Sequence, residues 1–245
     1  MKSAISISNL HVHYGDATAL CDVTMELPAA SSLAVIGPNG SGKSTLLGVL
    51  AGTIEASSGN VTVAGGGPAL VLQSTDVDRS LPITVGDTVS LARYPSLGLF
   101  GRFTAADRSA VEEAMKRLDI TGLAKRQFHE LSGGQRQRAL VAQGLAQESD
   151  VLLLDEPVTG LDITSREIIL DLIDDEVADG RTVLVTTHSL EEARRCSYVL
   201  LLDTDAIAFG TPDEVLTEEH LRRAFGGGFI KFGDEFILDD PHHHH

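Results

Sequence analysis

The chain has 245 residues, 42% of them hydrophobic, and a formal net charge of −16. That length and apolar content allow a sizeable core and argue against disorder, and the acidity argues against a nucleic-acid partner, whose phosphates need a basic face. No apolar run approaches the roughly 18 residues a membrane span needs, and the N-terminus lacks a signal-peptide core. Cys21 and Cys196 stand at no metal-ligand spacing, so the expectation is a soluble cytosolic protein whose two thiols are small core residues.

Residues 4–12 alternate in the manner of a strand, with Ile5, Ile7 and Leu10 inward, and 23–27 form a second strand. Leu33, Ala34, Val35 and Ile36 are an apolar run that leads into Gly37, Pro38, Asn39, Gly40, Ser41, Gly42, Lys43, Ser44 and Thr45. This stretch fits G-x-x-x-x-G-K-[ST], and an apolar helix at 46–51 follows it. Strand, glycine loop and helix are the context that makes the motif meaningful. Glycines let successive N–H groups converge on one anion, and the helix aims the positive end of its dipole at the same point. Lys43 adds a full charge toward the β- and γ-phosphates, and Ser44 offers a hydroxyl to Mg²⁺. Nucleoside-triphosphate binding is the expectation.

A turn at 57–60, a strand at 61–63, a break at 65–68 and a strand at 70–73 come next. From 74 to about 102 the text changes, with Pro82, Gly86, Pro95, Gly98 and Gly101 around one helical patch near 85–92. A helix over 105–118 places Val111, Ala114, Met115 and Leu118 on one face. These segments and a helix at 133–147 read as a mostly helical subdomain, about 74–147, inserted into an α/β core. The alternation resumes with a buried strand at 151–154 and a helix at 164–177, whose Asp171, Asp174, Asp175 and Glu176 read as its wet face. Strands at 182–186 and 198–202, an edge strand at 206–209 and a helix at 218–225 complete it. The fold class is α/β, a mostly parallel sheet covered on both sides, with an antiparallel N-terminal β part. Residues 226–241 read as a tail and His242 to His245 as a purification tag.

Two further constellations carry chemistry. The strand at 151–154 ends in Asp155, placed to hold Mg²⁺, and Glu156, which points elsewhere because side chains alternate along a strand. Glu156 is the candidate base for polarising an attacking water. Ser132, Gly133 and Gly134, followed by Gln135, put a hydroxyl and two glycine N–H groups at a helix start, a second anion site. One phosphate loop already wraps a triphosphate, so the second site suggests the nucleotide of a second molecule.

In this order the motifs resemble those of ATP-binding-cassette (ABC) ATPases, over about residues 5–225. The resemblance implies one P-loop NTPase domain of the ABC type spanning 1–225. It implies that Tyr14 stacks on adenine and that Gln73 senses Mg²⁺ and the membrane partner. Residues 131–135 match the signature motif, and Asp155 with Glu156 the end of Walker B. Thr159, Gly160, Leu161 and Asp162 stand where the D-loop belongs, although Ser-Ala is the more frequent opening there. His188 resembles the switch histidine that contacts the γ-phosphate and holds Glu156 and the water in line. Two copies are implied to meet head to tail, each ATP lying between the Lys43 loop of one and Ser132, Gly133 and Gly134 of the other. A transmembrane permease, an extracytoplasmic solute-binding protein and a place on the inner face of the cell membrane are implied as well.

The wording of 78–102 and of Pro157, Val158, Thr159 and Gly160 is similar to the ATPases of zinc and manganese importers, and iron-chelate importers share part of it. The alternatives are an iron-chelate or other small-solute importer, and a non-transport ABC ATPase acting as a regulatory or assembly module. Leu81, Ile83, Leu97, Leu99 and Phe100 either dock the permease or form the small core of the subdomain. His11 and His13 offer at most two metal ligands on one strand face, so the subunit is expected to hold no transition-metal site of its own.

Overall fold

The computed structural model describes residues 2–72, 82–97, 101–226, 229–232 and 235–238. Gln73, Leu81, Leu99, Phe100 and His242 to His245 lie outside the described residues.

Strands β1 (Ser3–Tyr14) and β2 (Ala17–Pro28) form an antiparallel hairpin. In β1, from Ile5 onward, the buried residues run Ile5, Ile7, then Leu10 and Val12, so the inward set moves from odd to even positions. The register shifts between Ile7 and Leu10, where Asn9 has φ +48°. That bulge turns Leu10 to the core side. Asp22 (φ +52°) breaks the alternation of β2 in the same way, and its Oδ1 accepts from Asn9 Nδ2 at 2.8 Å. One consequence corrects an expectation: Cys21, beside the break, is exposed, whereas Cys196 is buried and its thiol is pushed up to about 12 by burial. The expected turn at 57–60 is mostly strand. Ser58 to Asn60 open β4 (Ser58–Val63) and pair with β1. Gly59 (φ +94°) allows this, since a Cβ there would lie 2.3 Å from the Asn9 carbonyl oxygen.

The main sheet has the order β5-β6-β7-β3-β8-β9. Its strands β3 (Ser32–Ile36), β5 (Ala69–Val71), β6 (Val151–Asp155), β7 (Thr182–Thr186) and β8 (Tyr198–Asp203) run parallel, and β9 (Asp205–Gly210) pairs antiparallel with β8. Because side chains alternate, each strand feeds both faces. Leu33, Val35, Leu153, Leu184 and Leu200 join one core with the β1–β2 hairpin and α1 (Lys43–Leu50). Ala34, Ile36, Leu154, Val185 and Leu201 join the other, against the helices.

Between β5 and β6 the chain leaves the sheet through α2 (Val85–Ser90), α3 (Tyr94–Leu97), α4 (Ala105–Arg117) and α5 (Gly133–Leu145). Thr84 and Thr104 cap α2 and α4 with full capping boxes. Val111, Ala114, Met115 and Leu118 are all buried. Arg93 ties these helices together: Nε reaches Asp107 at 2.9 Å and Nη1 donates to the Ala146 carbonyl at 3.0 Å. The chain returns through α6 (Ile163–Ala178) and α7 (Leu190–Arg195), and closes with α8 (Pro212–Val215), α9 (Glu218–Phe225) and a hairpin of β10 (Phe229–Phe232) with β11 (Glu235–Leu238). On α6 the expected wet face holds for Asp171, Asp174 and Asp175. Glu176 is fully buried instead, ion-paired to Arg117 of α4 and to Arg181 at 2.7 Å. Among the described residues no helix is long and apolar enough to cross a membrane.

Candidate functional site

The strand order sets the site. β6, β7 and β3 are neighbours in the main sheet, so the segments that follow their carboxyl ends meet at one edge. After β3 the glycine loop runs Gly37 to Gly42 into α1. Gly37 must be glycine because a Cβ there would lie 1.9 Å from the Leu202 carbonyl oxygen. Gly42 caps α1 in a left-handed conformation, φ +98°, and a Cβ would strike Leu20 Cδ2 at 2.5 Å. The loop is sewn to the sheet by Thr204 N–H, which donates to the Ser41 carbonyl at 3.0 Å.

Lys43 is buried, and its Nζ donates to the carbonyls of Gly37 (2.8 Å) and Pro38 (3.0 Å). Burial pushes its ammonium below the usual lysine range, and the nearby carboxylates Glu156 and Asp155 oppose that. Ser44 Oγ donates to Asp155 Oδ2 at 3.3 Å. Glu156 leaves β6 at φ +46°, and its Oε1 lies 2.7 Å from His188 Nε2. That hydrogen bond holds the Glu156 carboxyl below the ordinary carboxylate range against the effect of burial. Ala19, Asn39, Gly40, Ser41, Gly42, Lys43, Ser44, Thr45 and Glu156 line one cleft of about 220 Å³.

The cleft suits an anion. Its glycines are positions where a Cβ has no room or no allowed conformation, and a lysine lies under them. The Ser41 hydroxyl is buried and has no hydrogen-bond partner among the described residues. Ser44 and Asp155 together offer the hard oxygen donors that suit Mg²⁺.

Other residues named from the sequence stand elsewhere. Tyr14 is 53% exposed at the end of β1 and does not line the cleft. Ser132 caps α5, accepting from Gln135 N–H at 3.3 Å while Gln135 Oε1 accepts from Ser132 N–H at 3.2 Å. Gly133 is exposed, whereas a Cβ on Gly134 would meet Ser165 Oγ at 2.3 Å and Asp162 Oδ2 at 2.6 Å. Asp162 caps α6 by accepting from Ser165 N–H at 2.9 Å, which keeps its carboxyl below the usual range. Within one chain, Ser132 to Gln135 and Asp162 therefore form a cluster that shares no lining residue with the Lys43 cleft. Sequence reasoning missed Ala19, which lines the cleft from β2, and Thr186, whose hydroxyl touches Asp155. No spacing signal marks either one.

A three-layer α/β fold with a phosphate loop beside two acids and a histidine defines a P-loop ATPase. The ABC transporter family profile matches residues 20–159. The chain is 35% identical over 236 residues to the manganese transport system ATP-binding protein MntB of Listeria monocytogenes, covering 93% of this chain and 98% of that protein. The structure superposes with a TM-score of 0.84, at 31% identity and 96% coverage of both chains, on the inward-facing conformation of a transporter described as of metal-chelate type. A dimeric bacterial ABC transporter cassette is 25% identical, with a TM-score of 0.73 over 85% of this chain and 98% of that one. The chain belongs to the ABC transporter family, as an ATP-binding, ATP-hydrolysing subunit.

Proposed function

We propose that the chain powers a metal importer, hydrolysing ATP to move manganese or a related divalent transition metal through a membrane permease. The observation that carries this is the similarity to the Listeria manganese system over nearly the full length of both chains. The likeness to a metal-chelate type transporter favours a second reading, import of a chelated metal by the same machinery.

The ATP phosphates lie over the 37–45 loop, where Lys43 gives up its carbonyl partners to face the β- and γ-oxygens. Ser44 and Asp155 would hold Mg²⁺, which when bound would neutralise charge on the phosphates. Glu156, ionised and oriented by His188, accepts a hydrogen bond from the attacking water. A carboxyl held below its ordinary range is a weak proton acceptor, so its work is to orient and polarise the water. That is sufficient for phosphoryl transfer, which demands mostly positioning and charge stabilisation. Tyr14 stacks on the adenine, and Gln73 relays the state of the site to the permease. Ser132 to Gln135 and Asp162 serve the nucleotide of a second copy, because within their own chain they stand apart from the Lys43 cleft. The two copies sit against the inner face of the membrane, and an extracytoplasmic binding protein delivers the metal.

The test is uptake of radioactive manganese, zinc and iron into cells lacking this chain. Wild-type chain should restore manganese uptake and Lys43→Ala should not. If uptake of all three metals is indifferent to the chain while purified protein still hydrolyses ATP, the importer reading fails.

A further inference from the structure

Thr186 is the last residue of β7 and is completely buried. The register sets it opposite Asp155 on one side and Val35 on the other, so it lies between the acid strand and the strand of the phosphate loop. Alternation puts its side chain on the face of Leu184, the face that packs against α1. Leu153 and hence Asp155 share that face.

There a single hydroxyl makes two contacts. Thr186 Oγ1 donates to Asp155 Oδ1 at 2.6 Å and accepts from the Glu156 N–H at 2.9 Å. The first contact engages one carboxylate oxygen of Asp155 and leaves the other, Oδ2, beside Ser44. The second holds the amide of Glu156 at the point where its backbone turns left-handed and sends its side chain to His188. A buried threonine needs a partner for its hydroxyl in any protein, and a carbonyl of the preceding turn or strand usually suffices. Here the partner is a carboxylate, and the same oxygen caps the next residue.

We propose that Thr186 is a positioning residue for ATP hydrolysis: its hydroxyl sets the rotation of the Asp155 carboxylate toward the Mg²⁺ site and fixes the backbone that aims Glu156. The inference rests on the reading of Asp155 and Glu156 given above. Thr186 does not line the Lys43 cleft and acts only through Asp155 and Glu156.

The experiment compares Thr186→Val, which keeps the shape and removes the hydroxyl, with Thr186→Ser, which restores it, and with Asp155→Asn as a control. Each full-length variant is titrated with Mg²⁺ at fixed ATP, and with Mn²⁺ and ATP while free Mn²⁺ is followed by electron paramagnetic resonance. ATP affinity in EDTA and the thermal midpoint are measured beside kcat. Thr186→Val should lower kcat on the order of tenfold or more, since small misplacements at a reacting centre have effects of that size. It should also shift the half-saturating Mg²⁺ and Mn²⁺ upward severalfold, with metal-free ATP affinity unchanged, and Thr186→Ser should recover most of both. Wild-type metal dependence and kcat in Thr186→Val, with Asp155→Asn impaired, would overturn the proposal and leave the reading of Asp155 standing. Metal dependence unchanged in Asp155→Asn would remove both. Equal loss in the valine and serine variants, tracking the thermal midpoint, would show that the residue only packs.

Discussion

In the proposed reading Glu156 is the residue on which hydrolysis turns, and its backbone is not a relaxed one. A non-glycine residue at φ +46° carries a strain of about 1 kcal/mol. Hydrogen bonds on both sides hold it there: its own N–H donates to Thr186 Oγ1, and its carboxylate accepts from His188 Nε2. Changing Glu156→Gln keeps the shape, the left-handed turn and a contact with His188, and removes the charge that polarises water. Steady-state hydrolysis should fall on the order of 100-fold or more. Equilibrium binding of ATP should stay within a few-fold of wild type, because the proposed reading gives the phosphates to Lys43 and the loop. Hydrolysis at the wild-type rate would remove Glu156 from its role.

Among the elements, α4 and α6 are joined by a contact that lies outside the nucleotide cleft. Glu176 of α6 is buried with Arg117 from the end of α4 and Arg181 from the turn before β7. Arg138 of α5 adds to the joint, donating to the carbonyls of Leu118 (3.0 Å) and Asp119 (3.2 Å) where α4 ends. Burial alone pushes the Glu176 carboxyl up, and the two guanidiniums offset part of that. Such a group contributes little net stability intact, but leaves a large penalty when only one partner is removed. Glu176→Ala should therefore destabilise the chain by about 2 kcal/mol, from the space it leaves and from two half-buried arginines that lose their shared partner. Glu176→Gln, which still accepts hydrogen bonds, should lose less. Urea denaturation reads both, and a loss under 1 kcal/mol in the alanine variant would mean the arginines find water instead.

For the whole molecule, the proposed reading makes each hydrolytic site the joint property of two copies. The motif at α5 is exposed at Ser132 and Gly133, and its local hydrogen bonds are already satisfied by Gln135. Ser132→Arg should leave ATP binding by the isolated chain nearly intact and abolish hydrolysis. Lys43→Ala should abolish both. Mixing the two inactive proteins should recover hydrolysis, because one site of each mixed pair keeps an intact loop and an intact α5 start. Light scattering of Glu156→Gln with ATP and Mg²⁺ should show the pair directly. No recovery on mixing, and no increase in mass, would refute the head-to-tail arrangement.

Much of this protein could be read from the chain alone, for a physical reason. The phosphate loop is a local object: its glycines, lysine and serine are consecutive, and the strand and helix around them are its immediate neighbours in sequence. The same holds for the buried run ending in Asp155 and Glu156 and for the amphipathic α4. Where the chain's own period or residue chemistry sufficed, most strands and helices fell within a few residues of their places, but the second strand, read at 23–27, begins six residues earlier at Ala17, where it pairs with β1. Tertiary structure decided what depends on approach between distant segments. Gly59 reads as a turn, yet it belongs to β4, because the Asn9 bulge crosses within 2.3 Å of where its Cβ would be. Glu176 reads as solvated, yet it is buried, because two arginines from 59 and 5 residues away converge on it. Thr186 reads as one more strand residue. Only pairing of β6 beside β7 puts its hydroxyl on Asp155, since the contact spans 31 residues of sequence and is made by the sheet.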